Sequence, residues 1–339
     1  MRILLTGSSG FIGFHLAKKL VSEGYFVTGI DNMNDYYELS LKEERLKEII
    51  AHDDQINKAK RFNFHKIDLS DKSTVLSLFD HENFDCVINL AAQAGVRYSL
   101  ENPYAYLDSN LSGFLNILEG CRKVKIKHLI FASSSSVYGM NSKQPFDTTD
   151  RTDHPISLYA ATKKSNELMA FTYSHLFKIP TTGLRFFTVY GPYGRPDMAY
   201  FKFTKSIIEG QPIEVYNSGK MKRDFTYIDD IVDAILKLTD RVPREKSFPE
   251  TLATAPYILF NIGNNNPVTL DRFICSIENA LNMKAKRINL DMQPGDVPIT
   301  FANIDKLDES INFKPSTKIE EGIEQFVKWY KSFYREQKN

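Results

Sequence analysis

The sequence predicts an α/β protein, a doubly wound parallel sheet followed in the chain by a smaller mixed α/β lobe. Three observations predict it. Strand-length apolar runs alternate with helix-length segments through the first half, the pattern of parallel strands joined by crossover helices. A glycine-rich turn joins the first run to the first helix. Beyond Thr188 the alternation gives way to short strands, short helices and polar turns. The expected division is residues 1–187 for the sheet domain, with a return of the chain to it around 225–240, and 188–339 for the lobe.

Each element follows in order. Ile3, Leu4 and Leu5 form the first strand, and a helical stretch over Phe11–Ser22 ends at Gly24. Further strands are read at 25–30, 61–67, 85–90, 129–132 and 182–187, closed by Asp31 and Asp68 in the first two cases. Helical patterns at 41–50, 74–79, 103–121 and 157–177 separate them. Right-handed crossovers then place helices on both faces of one sheet. In the lobe, short strands are expected at 213–216, 259–262 and 287–290, a surface loop at 241–256, and a last helix at 319–334.

Hydrophobic residues make up 42% and charged residues 25% of the 339, the proportions of a soluble globular chain able to bury a sizeable core. The formal net charge is +1, so no global field recruits nucleic acid or a membrane, and an anionic ligand must be held by local cations. Cys86, Cys121 and Cys275 are few and far apart, which fits free thiols in a reducing compartment and offers no zinc spacing. No metal is expected. The N-terminus lacks the charged and apolar regions of a signal peptide, and no apolar run approaches the ~18 residues of a spanning helix. A cytoplasmic protein without a membrane partner is expected.

Thr6-Gly7-Ser8-Ser9-Gly10-Phe11-Ile12-Gly13 sits where the first strand hands over to the first helix. Glycines there allow a tight turn, close approach of a pyrophosphate and close helix packing, while the helix N-terminus offers free N–H groups. The spacing is G-x-x-G-x-x-G rather than G-x-G-x-x-G. Asp31 closes the second strand, where a carboxylate can accept from a ribose diol and repel a 2′-phosphate, favouring NAD over NADP. Asp68, closing the third strand, is either a partner for the adenine edge or an ordinary turn residue. Gly7, Gly10, Phe11, Ile12, Gly13, Asp31, Asn32, Asp68 and Leu69 are the expected cofactor contacts of this end.

Tyr159 and Lys163 stand four apart on one helical face. Tyrosine is normally too weak a base, with a pKa near ~10, but a neighbouring lysine cation and a nicotinamide cation both favour the phenolate. Such a phenolate takes a proton from a sugar hydroxyl. The pair is common on helix surfaces, and two further features raise it. Ser133-Ser134-Ser135-Ser136-Val137-Tyr138-Gly139 follows the fifth strand, at the sheet edge where ligands bind. Asn110, on the preceding helix, offers a polar bracket or is a routine mid-helix residue.

Together TGSSGFIG, NLAAQAGVRYS from Asn89 to Ser99, SSSSVYG and YAATK resemble, in order and spacing over essentially the whole chain, the extended short-chain dehydrogenase/reductase family. Gly194-Arg195-Pro196-Asp197-Met198 and the run from Gly219 to Asp230 narrow the likeness to the UDP-glucuronate 4-epimerases. The resemblance implies a Rossmann domain binding NAD, with Tyr159 as general base and acid, Lys163 as its electrostatic partner and Ser134 on the C4 oxygen. Leu90, Ala91, Ala92 and Gln93 would line the cofactor, with Asn110 nearby. Helices 103–121 and 157–177 resemble the pair that forms a four-helix dimer interface in the family, so a homodimer is expected.

Dehydratase relatives carry an Asp-Glu pair where this chain has Ser135 and Ser136, and neither serine acts as a general acid near neutral pH. Epimerisation needs no further acid. A glucuronate substrate passes through a β-keto acid, which loses carbon dioxide unless its carboxylate is held out of alignment. Ser135, Ser136, Thr188 and Arg195 are the candidates for that grip, the arginine through a planar charge-assisted contact. For the UDP portion, Arg223 is expected on the diphosphate, Phe201, Val215 and Tyr216 around uracil, and Gln293 and Asp296 near the nucleotide ribose or phosphate. Two rival readings stay open: a C4 epimerase of neutral UDP-hexoses or their N-acetyl forms, and a non-catalytic NAD-binding sensor or scaffold.

Overall fold

Ile3, Leu4 and Leu5 offer neither face to water, so their strand belongs inside a sheet covered on both sides. In the computed structural model, which describes residues 1–57, 59–245, 255–291, 299–312 and 314–336, all three are fully buried. The chain runs β1 (Arg2–Thr6), α1 (Phe11–Ser22), β2 (Phe26–Asp31), α2 (Leu39–Ile56), β3 (Phe62–Lys66), α3 (Lys72–His81), β4 (Cys86–Asn89), α4 (Tyr98–Glu101), α5 (Pro103–Tyr106), α6 (Gly113–Val124), β5 (His128–Ser134), α7 (Leu158–Phe177) and β6 (Thr181–Phe186). It continues through β7 (Thr188–Tyr190), α8 (Ala199–Ile208), β8 (Pro212–Tyr216), β9 (Lys222–Arg223), β10 (Phe225–Tyr227), α9 (Ile228–Thr239), β11 (Tyr257–Ile262), β12 (Val268–Thr269), α10 (Leu270–Leu281), β13 (Lys286–Leu290), β14 (Ile299–Thr300), α11 (Asp305–Ile311) and α12 (Ile319–Glu336).

Two units emerge. The first comprises Met1–Gly139, Arg151–Phe186 and Val232–Phe260, and the second Met140–Asp150, Phe187–Ile231 and Asn261–Asn339. The first holds a seven-stranded sheet in the order β11-β6-β5-β4-β1-β2-β3. The pairings β1–β2, β2–β3, β1–β4, β4–β5 and β5–β6 are all parallel. Strand order therefore reverses beside β1, and this is the doubly wound Rossmann arrangement the alternation predicts. At the carboxyl ends of β1 and β4, Thr6 and Asn89 lie in register, and Thr6 Oγ1 donates to Asn89 Oδ1 at 2.8 Å. One core layer packs Leu4, Val87, Leu129 and Phe131 of the sheet against Phe114, Ile117 and Leu118 of α6 and Val75 and Phe79 of α3. Each such side chain contributes about 1.5–3 kcal/mol on burial.

Two elements differ from the sequence reading. The expected helix 103–121 is α5 and α6 joined by a π-helical stretch, Leu107–Ser112. The wider turn accompanies an inward Asn110, only 2% exposed. The strand read at 259–262 within the lobe is β11, which lies beside β6 at the edge of the large sheet.

The second unit contains small sheets, β10–β7, β12–β9–β14 and β13–β8. Its α8 and α12 meet through aromatic rings, Tyr200 and Phe201 against Phe326 at 4.9 and 6.0 Å between centroids. Among the described residues no helix is long and apolar enough to cross a membrane.

Candidate active site

Gly7 leaves β1 with φ +72°, and a Cβ on Gly13 would stand 2.0 Å from the Gly7 carbonyl oxygen. That oxygen accepts from Gly10 N at 2.9 Å, closing the turn. Gly10 caps α1 with no side-chain hydrogen bond, so the first-turn amides face outward for an anion. Ser8 Oγ and Ser9 Oγ are buried there without a protein partner. Phe11 and Gly13 are buried, and Ile12 is half-buried.

Asp31, at the end of β2, is buried and accepts from Ser9 N at 3.2 Å and Met33 N at 2.9 Å. Its carboxylate therefore joins the glycine turn to the strand end. Asn32 Nδ2 donates to Asp68 Oδ2 at 2.9 Å, an exposed link between the ends of β2 and β3. Burial raises the Asp68 pKa, but hydrogen bonds from Asn32 and Ser70 outweigh it and hold the carboxyl below its usual range. Leu69 is buried behind this link. Two cations on α2 escaped the sequence reading. Lys42, 5% exposed, donates to Asn34 Oδ1 at 2.6 Å, and burial lowers its pKa against the pull of Asp31. Arg45, fully buried, donates to Ser9 O at 2.9 Å. Their signal is a Lys and an Arg three apart on the same helix face as Leu41 and Ile49.

Beyond β4, Leu90, Ala91 and Ala92 are half-buried. Thr6 Oγ1 accepts from Ala91 N at 3.0 Å. Asn110 Oδ1 accepts from Gln93 N at 2.8 Å, and its Nδ2 donates to Gln93 O and to Thr162 Oγ1, each at 3.1 Å. The Asn110 carbonyl accepts from Asn166 Nδ2 at 2.6 Å. This side chain thus ties the segment after β4 to α7 through groups that are all buried.

Ser134 ends β5, and its Oγ donates to Ser136 Oγ at 3.1 Å and accepts from Ser136 N at 3.2 Å. Ser135 and Ser136 open a short 3-10 turn, Ser135–Tyr138, and both are half-buried. Ser157 Oγ caps α7 by accepting from Ala160 N at 3.1 Å, which fixes the first turn that carries Tyr159. The Tyr159 ring meets the edge of the buried Tyr106 ring at 6.1 Å. Lys163, one turn on, is 3% exposed and donates to Ala132 O at 3.0 Å. Burial alone lowers its pKa to about 8, so it carries its charge at neutral pH. A half-buried phenol, a buried ammonium and a hydroxyl-bearing strand end thus share the carboxyl edge of one sheet.

In the second unit, Thr188 opens β7 and is half-buried. Arg195 meets Asp197 in a two-pronged pair, Nε to Oδ1 at 2.9 Å and Nη2 to Oδ2 at 2.5 Å. Arg223 is half-buried, and the next residue, Asp224, is buried and accepts from Asn264 N, Asn265 N and Ala302 N at 2.7, 3.1 and 3.0 Å. Tyr216 donates to Glu214 Oε2 at 2.8 Å. Two expectations are corrected. Phe201 is 3% exposed, its ring packed on Phe326, Trp329, Tyr330 and Tyr334, and Val215 is 2% exposed. Both are core side chains of this unit with no face left for a base. Gln293 and Asp296 lie outside the described residues. Among the described residues, no group of three or more His, Cys, Asp and Glu side chains would hold a metal.

The sequence matches the model of the NAD dependent epimerase/dehydratase family over residues 3–252. Protein CapI of Staphylococcus aureus is 55% identical, across 99% of this chain and 100% of that protein. UDP-glucuronate 4-epimerase 1 of Arabidopsis thaliana is 46% identical, across 98% of this chain and 77% of its own. A crystal structure of UDP-glucuronic acid 4-epimerase from Bacillus cereus, in complex with UDP-glucuronic acid and NAD, matches with a TM-score of 0.85 and 31% identity, covering 98% of this chain and 100% of that one.

Proposed function

The chain belongs to the NAD-dependent epimerase/dehydratase family, and from that premise we propose that it interconverts UDP-glucuronic acid and UDP-galacturonic acid by inverting C4. The observation that carries the reading is the cluster of Tyr159, Lys163 and Ser134 at one sheet edge, in a chain that keeps UDP-glucuronate 4-epimerase likeness along its length. A sensor or scaffold needs no buried ammonium one turn from a half-buried phenol.

The first unit fits NAD. Its turn has no room for a Cβ at Gly13, and two buried hydroxyls, Ser8 Oγ and Ser9 Oγ, lack protein partners. Gly7, Gly10 and the α1 N-terminus would hold the pyrophosphate, and Asp31 the adenosine ribose. NAD, when bound, supplies reversible oxidation at C4 and is restored in each cycle. Tyr159 takes the C4 hydroxyl proton and later returns it. Lys163 keeps the phenolate favourable by its charge, and Ser134 orients the C4 oxygen.

The 4-keto acid formed in between keeps its carbon dioxide only while the carboxylate is held away from the ketone π system. Thr188 and Arg195, both of the second unit, are proposed for that grip. Asp197 already orients the guanidinium, and the substrate carboxylate competes with it. Arg223 and Tyr216 are proposed for the UDP portion.

A homodimer fits the apolar side chains left exposed on the first unit: Leu115 of α6 and Leu168, Leu176 and Phe177 of α7. A cytoplasmic setting fits the free thiols of Cys86, Cys121 and Cys275. The test is incubation of the purified protein with UDP-glucuronic acid, with and without added NAD, followed by NMR. UDP-galacturonic acid is expected. A decarboxylated UDP-pentose, or no product in either case, would sink the reading.

A further inference from the structure

Ser133 neighbours Ser134 in β5, and alternation along a strand sends its side chain to the opposite face. There Ser133 Oγ donates to Glu167 Oε1 at 2.6 Å. Glu167 is 3% exposed and stands one turn beyond Lys163 on α7. Arg185, 2% exposed, lies in register with Ser133 on β6. Its Nε donates to Glu167 Oε1 at 2.8 Å and its Nη2 to Oε2 at 2.9 Å. The remaining arm, Nη1, donates to Tyr138 OH at 3.0 Å, at the end of the turn that carries Ser135 and Ser136.

One carboxylate and one guanidinium, both out of water, thus join every element that bears a proposed catalytic group of this unit. Stability alone is a poor reason for them. The desolvation of a buried pair offsets most of its attraction, and apolar residues of similar volume do as well or better. What a two-pronged pair supplies is direction, since two parallel hydrogen bonds fix both planes. The pair is also neutral overall, and the lowered pKa of Lys163 traces to burial alone. Tuning of the ammonium is therefore not its role.

We propose that Ser133, Glu167 and Arg185 are positioning residues that set the separation of Ser134 from Tyr159, and so govern the chemical step rather than binding. The inference rests on the C4 chemistry assigned above. Misplacement of reacting groups by about 1 Å costs on the order of 100-fold in rate.

Ser133→Ala tests it, because it removes one tie and leaves the ion pair covered. With UDP-glucuronic acid, kcat is expected to fall about 10- to 100-fold. KM, bound NAD and the shape of the kcat–pH profile stay as in the wild type. Ser133→Thr, which restores the hydroxyl, recovers most of the rate. Arg185→Lys, which keeps the charge but loses the two-pronged grip, shows the same loss confined to kcat. A purely structural part would lower the unfolding midpoint and leave kcat of the folded enzyme intact. Near-normal kcat in Ser133→Ala, a loss carried by KM or by a shifted pH profile, or no recovery in Ser133→Thr would each overturn the proposal while wild-type turnover stands. A wild-type protein inactive on UDP-glucuronic acid would instead remove the function reading, and this inference with it.

Discussion

Lys163→Met isolates what it costs to hold an ammonium out of water at the site. Lys163 is 3% exposed, with the Ala132 carbonyl 3.0 Å from Nζ. Burial moves its pKa from the ordinary 10.5 to about 8. The folded protein therefore binds this proton more weakly than the unfolded chain. The penalty is complete below about pH 8, and stability rises with pH between about 8 and 10.5, where only the unfolded chain stays protonated. The gap corresponds to about 3 kcal/mol at neutral pH. Methionine keeps the length and removes the charge, but it leaves the Ala132 carbonyl without its donor, at about 1–2 kcal/mol. Dinucleotide-free Lys163→Met is thus expected to be about 1–2 kcal/mol more stable than the wild type at pH 7. That advantage shrinks by about 2 kcal/mol at pH 9.5. Urea unfolding followed by circular dichroism at the two pH values measures it. Trp329 fluorescence is the wrong probe, since the one tryptophan lies in the second unit. If the difference between the two proteins is the same at both pH values, the amine is not penalised by burial and the argument fails.

Tyr159→Phe keeps the ring on Tyr106 and removes the proton carrier. Bound dinucleotide should be unchanged and turnover should drop at least about 100-fold by NMR, and unaltered turnover would remove the base assignment. Arg195→Ala should cut the preference for UDP-glucuronic acid over UDP-glucose about 10-fold or more, measured as a kcat/KM ratio. An intact ratio would place the carboxylate elsewhere. Asn110→Leu breaks the buried ties to Gln93 and Thr162 and should cost about 3–5 kcal/mol in urea unfolding, a value that a loss below about 1 kcal/mol would contradict. Leu176→Glu puts a charge on the exposed face of α7 and should yield monomers in analytical ultracentrifugation. Dimers that persist would move the interface off this face.

The sheet was legible because of how parallel strands are buried. Both faces covered means unbroken apolar runs such as Ile3 to Leu5, punctuated by Gly24 and Asp31, and helices between them with one apolar stripe. Pairing partners were less legible. Nothing local in residues 257–262 says which sheet they join, because that choice is made by β6, far back in the chain. The π-helical turn was hidden for a similar reason: Asn110 turns inward to satisfy Gln93 and Thr162, and neither lies near it in sequence. Phe201 and Val215 read in the sequence as flanking a base, but the rings of α12 enclose Phe201 and Val215 is buried in β8. The Glu167–Arg185 pair was missed because its members sit on a helix and a strand whose adjacency is tertiary. A buried-face acid four residues past Lys163 was the available hint.

Why this site should invert a centre rather than eliminate water follows from where its acids are. Elimination at C5 and C6 needs a group that can deliver a proton beside Ser134. The two residues after Ser134 are hydroxyls, and neither gives up or holds a proton readily near neutrality. Glu167 is brought against the same strand by α7, but it faces Ser133 on the far side. Its Oε1 accepts from Ser133 and Arg185 and its Oε2 from Arg185, with Lys164 Nζ 3.6 Å away. Both oxygens of this carboxylate are thus turned to Ser133 and Arg185. The fold thus brings in a carboxylate for alignment and keeps it out of the chemistry. The groups left at the sheet edge, Tyr159 with its lysine and the Ser134 hydroxyl, are the ones proposed to take the proton of the C4 hydroxyl and return it, and epimerisation needs no acid beyond them.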